Sequence, residues 1–334
     1  MANKLGILAW RLQARFMDMD CVIVGGGAAG LSAALVLGRA RRRTLLVDSG
    51  AQSNLSAHGI GGLLGFDGRS PAELYAAGRA ELGAYPGVEV RVGTVVSAAP
   101  DGGGFRVTLH DGTDVGTRRI LLATGMEYRA PSLPGLAGLW GNSVFHCPFC
   151  HGWEARDQPL AVYANGERAV HSALLLRGWT DDVVVLTNGA ADVDAAQQEL
   201  LGAAGVTIDE RPILRLVSAD GSLAAVEFTD GDRLPRKGML VATTLHQRSE
   251  LAEQLGVDYA DPGPLAENAV MIDAFHRTSV PGVYAAGDVS VQVPQVAAAV
   301  AAGSMAGAAI TQSLLADDLG LPIPAGGDHR VRTR

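Results

Sequence analysis

Cysteine is nearly absent from this chain: three in 334 residues, at Cys21, Cys147 and Cys150. A secreted disulfide framework uses more, in even number, so that class is excluded. A reducing compartment, the cytoplasm, is expected instead. Lysine is scarcer still, with Lys4 and Lys237 alone. Arginines are scattered apart from Arg41-Arg42-Arg43, a solvated helix end before a strand, and the net charge is −8. Nothing in that distribution forms a nucleic-acid footprint. Charged residues make up 19% and hydrophobic residues 48%, which excludes a disordered chain and allows sizeable cores. No uninterrupted apolar run is long enough to span a membrane. The stretch from Val291 to Ile310 comes nearest, but it contains Gln292, Pro294, Gln295 and Ser304 and reads as a buried Ala/Gly-rich helix. In residues 1–18, Arg11 and Arg15 interrupt any signal-peptide core, and no A-x-A site follows. The expectation there is a frayed extension, or a start placed upstream of Met17 or Met19.

What is present begins with a phosphate cradle. Cys21-Val22-Ile23-Val24 reads as a buried strand, followed at once by Gly25-Gly26-Gly27-Ala28-Ala29-Gly30 and an apolar helix from Leu31. Gly25 makes the tight turn, Gly27 lets the backbone approach a pyrophosphate, and Gly30 lets helix and strand pack closely. The helix N-terminus offers N–H groups and a positive dipole end to the phosphates. The strand Thr44 to Val47 ends at Asp48, eighteen residues after Gly30, where an acid can bind ribose hydroxyls. A lone G-x-G-x-x-G is a weak signal; here strand, helix, second strand and acid are all in place.

Two later segments join it. Ala123-Thr124-Gly125 ends a strand, Ile120 to Ala123. Thr278-Ser279-Val280-Pro281-Gly282-Val283-Tyr284-Ala285-Ala286-Gly287-Asp288 reads as a turn, a short strand and a terminal acid. Together the three motifs resemble two-domain FAD oxidoreductases of the thioredoxin reductase type, over residues 20 to 318. The resemblance implies FAD as cofactor. Its binding set would be Gly25, Gly27, Ala28, Ala29 and Gly30, then Asp48, Ser49, Asn54 and Val95. Ala123, Thr124 and Gly125 follow, with Gly287 and Asp288 on the ribityl/phosphate arm, and Gln295 and Val296 opening a helix that points at the isoalloxazine. A helix dipole there stabilises an anionic reduced flavin.

Cys147-Pro148-Phe149-Cys150 is C-x-x-C, a spacing that suits a small disulfide ring and a depressed thiolate pKa. Zinc would need two more ligands, and beyond the neighbouring His146 and His151 no second C-x-x-C or H-x-x-x-H exists. Cys147 to His151 also spells the c-type haem pattern C-x-x-C-H, but no export signal accompanies it. A structural pair without chemistry is the third alternative. Against it stands position: the pair opens a second βαβ unit, where thioredoxin reductases carry their redox cysteines. By that resemblance Cys147 is the interchange thiol and Cys150 the flavin-proximal one. His151 stands where the family usually has Asp. A histidine titrates near pH 6.5 and, when neutral, can deprotonate a thiol that titrates near pH 8.5. His146 reads as packing, His58 as either a flavin neighbour or an ordinary loop residue, and Cys21 as inert core.

The second nucleotide cradle departs from the family. After the strand Leu160-Ala161-Val162-Tyr163 the turn is Ala164-Asn165-Gly166-Glu167-Arg168-Ala169, without the first glycine and with an acid added. After the strand Val183 to Thr187, where a 2′-phosphate needs arginines, stand Asp192 and Asp194, and no Arg or Lys occurs between Arg177 and Arg211. Poor NADPH use is expected. The run Cys147-Pro148-Phe149-Cys150-His151-Gly152-Trp153-Glu154 is similar to FAD-dependent dithiol oxidases that close disulfides in gliotoxin- and holomycin-type natural products. The resemblance implies a small-molecule dithiol or a thioredoxin-like protein as substrate, dioxygen as acceptor, and a homodimer. A reductase fed by NAD(P)H or ferredoxin, and a non-catalytic redox-sensing flavoprotein, stay open as alternatives.

The expected fold class is α/β, with two doubly wound Rossmann-like domains. An FAD domain would comprise 19–126 and 245–320. An inserted NAD(P)-type domain, 127–244, would carry the C-x-x-C, and 321–334 would form a tail. Val88 to Ala123 is expected to be an antiparallel β insertion, and Pro131, Pro134 and Thr243 to His246 mark the crossings.

Overall fold

A computed structural model describes residues 18–291 and 293–322. The expected N-terminal extension, Asp18 apart, and the tail from Ile323 lie outside the described residues. The chain forms two units, one of 18–53, 72–127 and 245–322, the other of 54–71 and 128–244.

The first unit is built on a seven-stranded sheet. Its strands are β1 (Met19–Val24), β2 (Thr44–Asp48), β3 (Val88–Val92), β4 (Val95–Asp101), β5 (Gly104–Leu109) and β6 (Asp114–Leu122), and β17 (Val283–Ala285) pairs with β6. The order is β3-β2-β1-β6-β5-β4. β3, β2, β1, β6 and β17 run parallel, while β4-β5-β6 is antiparallel. Residues 88–123 are therefore not simply an antiparallel insertion. Val88–Val92 forms the parallel edge, and β6 changes role along its length. Its first half alternates exposed and buried; its last four residues are all buried, because there it runs between β1 and β17. Alternate strand residues feed two cores, as a period of two requires. Ile23, Leu46, Leu121 and Tyr284 meet the helices α1 (Ala28–Arg39) and α7 (Val296–Leu319). Val24, Val47, Ile120 and Val283 meet β4-β5 and the short helix α6 (Leu251–Gln254). Helix α2 (Pro71–Leu82) adds Tyr75 and Leu82 to the first core. Each fully buried Leu or Ile here is worth about 1.5–3 kcal/mol of burial.

Helix α7 has the length and apolarity to cross a membrane, yet it is a core helix. A Cβ on Gly303 would lie 2.0 Å from the Ala29 carbonyl, and one on Gly307 3.0 Å from the Ala33 carbonyl. Glycine at these positions is what lets α7 lie against α1.

The second unit holds a five-stranded parallel sheet of β8 (Val144–Phe145), β9 (Leu160–Tyr163), β10 (Val183–Leu186), β11 (Thr207–Asp209) and β15 (Gly238–Val241), in the order β11-β10-β9-β15-β8. Helices α4 (Gly166–Leu176) and α5 (Ala195–Ala203) cover one face through Ala169, Ala173, Leu176 and Leu201. The other face is covered by a three-stranded antiparallel sheet, β12 (Ile213–Ala219), β13 (Ser222–Phe228) and β14 (Arg233–Pro235), through Leu216, Val226 and Phe228. The chain passes between units within β7 (Met126–Arg129) and β16 (Thr244–Gln247), which pair with each other. One segment differs from expectation: 54–71 groups with the second unit rather than with the first. Its Gly61 packs against the Cys150 backbone and its Ser56 against Gly141.

Candidate active site

The redox segment is shaped by its flanks. β8 ends at Phe145, and Cys147 is extended (φ −126°, ψ 111°) before Pro148 opens the one-turn helix α3 (Pro148–His151). Proline suits that first position, where no N–H is needed and φ is already helical. The turn brings the Cα atoms of Cys147 and Cys150 to 5.3 Å, and a disulfide joins them. Gly152 N–H donates to the Pro148 carbonyl at 2.7 Å, and a Cβ at 152 would lie 2.8 Å from the Trp179 ring, so only glycine lets the turn close. Cys147 is 8% exposed, and Cys150 is half-buried.

Three histidines bear on the pair. The His146 ring lies 4.5 Å from the Tyr128 ring and 5.7 Å from the Trp140 ring. Burial, and then the neighbouring His151, pull its pKa to about 4. It stays neutral and packs. The His151 ring stacks on Phe145 at 5.4 Å with only 9° between planes, and its Nε2 lies 3.3 Å from the Gly141 carbonyl oxygen. Burial is the largest influence on its pKa, which is lowered; the Gly141 and Cys147 carbonyls and Glu154 oppose this, and His58 adds to it. His58 itself is exposed on the 54–71 segment. That segment is held against the redox turn. A Cβ on Gly61 would lie 2.6 Å from the Cys150 carbonyl, and one on Gly141 would lie 2.5 Å from Ser56 Oγ. Among the described residues no group of three or more His, Cys, Asp or Glu is placed to hold a metal ion.

In the first unit, the glycine turn after β1 has the geometry its spacing predicts. Gly25 has φ +107°, and a Cβ there would lie 2.2 Å from the Ala123 carbonyl; one on Gly30 would lie 1.8 Å from the Gly25 carbonyl. Gly27 is the N-cap of α1, no side chain caps that end, and nothing comes closer than 3.8 Å to where its Cβ would be. Uncapped N–H groups facing open space fit a pyrophosphate. Asp48 ends β2, buried, accepting from Gly50 N–H at 3.0 Å and from the Gln52 amide at 3.0 and 3.1 Å. Ala123-Thr124-Gly125 follows β6, with Gly125 at φ +66°, and Gly287-Asp288 follows β17 closely, with Gly287 at φ +83°. Gln295 is the N-cap of α7, again without a side-chain cap, and Val296 is its first residue. These residues gather at the carboxyl ends of the parallel strands, where open α/β sheets bind ligands.

The corresponding turn of the second unit is closed on itself. Asn165, the N-cap of α4, accepts from the Gly166 N–H at 2.9 Å and from the Asp192 N–H at 2.8 Å, and donates to the Ala190 carbonyl at 3.0 Å. One asparagine thus ties the loop after β10 onto the N-terminus of α4. The Asp192 carboxylate lies 3.6 Å from where a Gly166 Cβ would be. Glu210 accepts from Ala191 N–H beside it. Arg168 in the same turn donates to the Thr243 carbonyl.

A family model for pyridine nucleotide-disulphide oxidoreductases matches residues 19–303. The chain belongs to this family. Among its relatives is the thioredoxin reductase tcpT of Claviceps purpurea (strain 20.1), 32% identical over 309 residues, covering 90% of this chain and 95% of that protein. Two solved structures are each 37% identical with a TM-score of 0.84, covering 90% of this chain. They are an oxidoreductase from Agrobacterium tumefaciens, matched over 99% of its length, and HlmI, matched over 94%. This pyridine nucleotide-disulphide oxidoreductase is an enzyme of the thioredoxin reductase-like, flavin-dependent type, with the expected α/β Rossmann-type fold.

Of the expected site residues, the family member places Cys147, Cys150 and His151 together on one turn. Gly25 to Gly30, Asp48, Ala123 to Gly125, Gly287, Asp288, Gln295 and Val296 all lie in the first unit. Exposed Ser49 follows Asp48, and buried Val95 opens β4. Asn54, expected with the cofactor set, opens the segment that groups with the second unit. Sequence reasoning missed Gly61, Gly141 and Ser56. Gly59-Ile60-Gly61-Gly62 was the available signal, since clustered glycines mark close backbone approach.

Proposed function

We propose that this enzyme is an FAD-dependent dithiol oxidase. The observation that carries the reading is the closed turn of the second unit. Asn165 and the loop to Asp192 occupy the helix N-terminus that a nicotinamide dinucleotide's phosphates would need, and no Arg or Lys follows β10 before Arg211. A pyrophosphate there would meet carboxylates and an already satisfied N–H. The uncapped turn at Gly27, by contrast, fits the FAD pyrophosphate, with Asp48 as ribose acceptor.

The chemistry follows from the residues on α3. A substrate thiol gives its proton to neutral His151, and its sulfur attacks the Cys147–Cys150 disulfide. A substrate–Cys147 bond forms, and Cys150 leaves as thiolate. The second substrate thiol then loses its proton and attacks the mixed disulfide at the substrate sulfur. The product disulfide forms and Cys147 is released. The substrate has lost two electrons and two protons, and the cysteine pair holds the electrons. FAD, which Gly25 to Gly30 and Asp48 would hold, would supply a two-electron acceptor for the reduced cysteine pair and a route for those electrons to dioxygen as peroxide. Burial keeps His151 in its neutral, proton-accepting form at neutral pH.

The test is anaerobic reduction of the purified yellow protein. A small dithiol is expected to bleach the flavin, and admitted air to restore it with one peroxide per disulfide formed. Rapid bleaching by NADPH alone would sink the reading. The name thioredoxin reductase carried by relatives favours a second reading, a disulfide reductase fed by NADH or a ferredoxin. Steady disulfide reduction with such a donor, and little peroxide in air, would replace the first.

A further inference from the structure

We infer that Gln52 is a positioning residue for FAD, holding the ribose acid Asp48 and the glycine turn in one arrangement, an inference that rests on the cofactor proposed above. β2 ends at Asp48, whose carboxylate accepts from the Gly50 N–H at 3.0 Å. Gly50 has φ +73°, and the turn it makes carries Gln52 back to the strand end. There the Gln52 amide nitrogen donates to both carboxylate oxygens of Asp48, at 3.0 and 3.1 Å, and to the Gly26 carbonyl at 3.3 Å. Those three oxygens only accept hydrogen bonds, so the nitrogen of the amide, not its oxygen, must face them.

The need for a donor there is electrostatic. A Cβ on Gly26 would lie 2.4 Å from Asp48 Cγ, so the carboxylate and the backbone of the turn are pressed together. A carboxylate repels a carbonyl oxygen beside it, and amide hydrogens shared between the two turn that repulsion into attraction. The Asp48 side chain is 8% exposed, so water screens little of it. Arg79, itself exposed, lies 3.7 Å from Asp48 Oδ2 and adds a weaker pull from the solvent side. A trans peptide turns its N–H away from its C=O, so holding the Gly26 carbonyl towards Gln52 also sets the Gly27 N–H, at the uncapped N-terminus of α1. One amide thus sets the acid for the ribose and the peptide for the pyrophosphate. It acts through Asp48 and Gly26, not through contact with the cofactor.

The experiment follows FAD release from the holoprotein on dilution, by the recovery of flavin fluorescence. Gln52→Leu, which keeps the bulk and loses the donor, is expected to speed release about tenfold or more. Gln52→Glu keeps the shape but sets a carboxylate against Asp48, with Arg79 the cation near the pair. Release should then be faster still, and should slow again as the pH falls, because a protonated glutamic acid can donate. In an Asp48→Asn background most of the Gln52→Leu effect should vanish. A side chain that merely fills space predicts the reverse order, with Gln52→Glu near wild type. That order, or full additivity with Asp48→Asn, would overturn the inference. If the wild-type protein holds no FAD, the cofactor reading fails and takes this inference with it. If FAD is held and every variant releases it at the wild-type rate, this inference alone fails.

Discussion

The backbone of Gly61 lies against the carbonyl of Cys150, so close that a Cβ at 61 would sit 2.6 Å from that oxygen. Gly61→Ala is therefore expected to push the 54–71 segment off the redox turn. The overpacking should lower stability by about 1–3 kcal/mol and slow disulfide exchange, with the flavin still bound. Thermal melts and dithiol turnover, with absorbance reporting flavin content, check this.

The two cysteines are expected to differ in what they trap. Cys150→Ser should form a stable mixed disulfide with a thiol-disulfide probe through Cys147. Cys147→Ser should not, and either change should abolish flavin reduction by dithiols. Intact-mass measurement reads the adducts. A persistent adduct on Cys150 in Cys147→Ser would reverse the assignment, in line with the greater exposure of Cys150 in the oxidised form.

His146 makes the native state sensitive to acid. Its pKa falls from 6.5 in the unfolded chain to about 4 when folded, so between those values the unfolded chain binds more protons. Stability is then complete above about pH 6.5 and declines as the pH drops towards 4. The full loss is about 3 kcal/mol. His146→Phe, which keeps the ring between Tyr128 and Trp140, should remove most of that decline. Urea unfolding at pH 7.5 and pH 4.5 gives the comparison.

Asn165 caps α4 and holds the loop after β10. Asn165→Ala should cost about 1 kcal/mol through the lost cap. It should not create NADPH binding, because no basic residue follows β10 before Arg211. Calorimetric titration of NADPH into the variant tests the second part; micromolar binding would show that the closed turn was the sole obstacle.

Asp48→Asn should weaken flavin retention, since an amide accepts less strongly than a carboxylate at the end of β2. Fluorescence of flavin released on dilution measures it, and unchanged retention would remove Asp48 from the proposed cofactor set.

Some of this was legible in the chain because it is local. The turn Gly25 to Gly30 is dictated by clashes within a few residues, and buried strands such as Cys21–Val24 and Leu160–Tyr163 announce themselves by continuous apolar runs. The run from Ile213 to Phe228 is two strands that cover one face of the second sheet, but their alternation is broken by register shifts, which hides the pattern. Residues 88–123 hide their role for a related reason. A strand such as Asp114–Leu122 that is antiparallel at one end and parallel at the other carries both patterns, and only its neighbours separate them.

The family, the dinucleotide turn, the redox cysteines with His151 beside them, and the lack of basic residues after Val183–Leu186 are readable along the chain. All of these follow from residue type and short spacing. What distant segments do to one another emerges only on folding. Folding brings Gly61 against Cys150 and the Gly141 carbonyl to His151 Nε2, and it lays Asn165 and the Asp192 loop over a helix end. Those relations depend on backbone atoms approaching within van der Waals distance across tens of residues, and no local pattern of side chains encodes them.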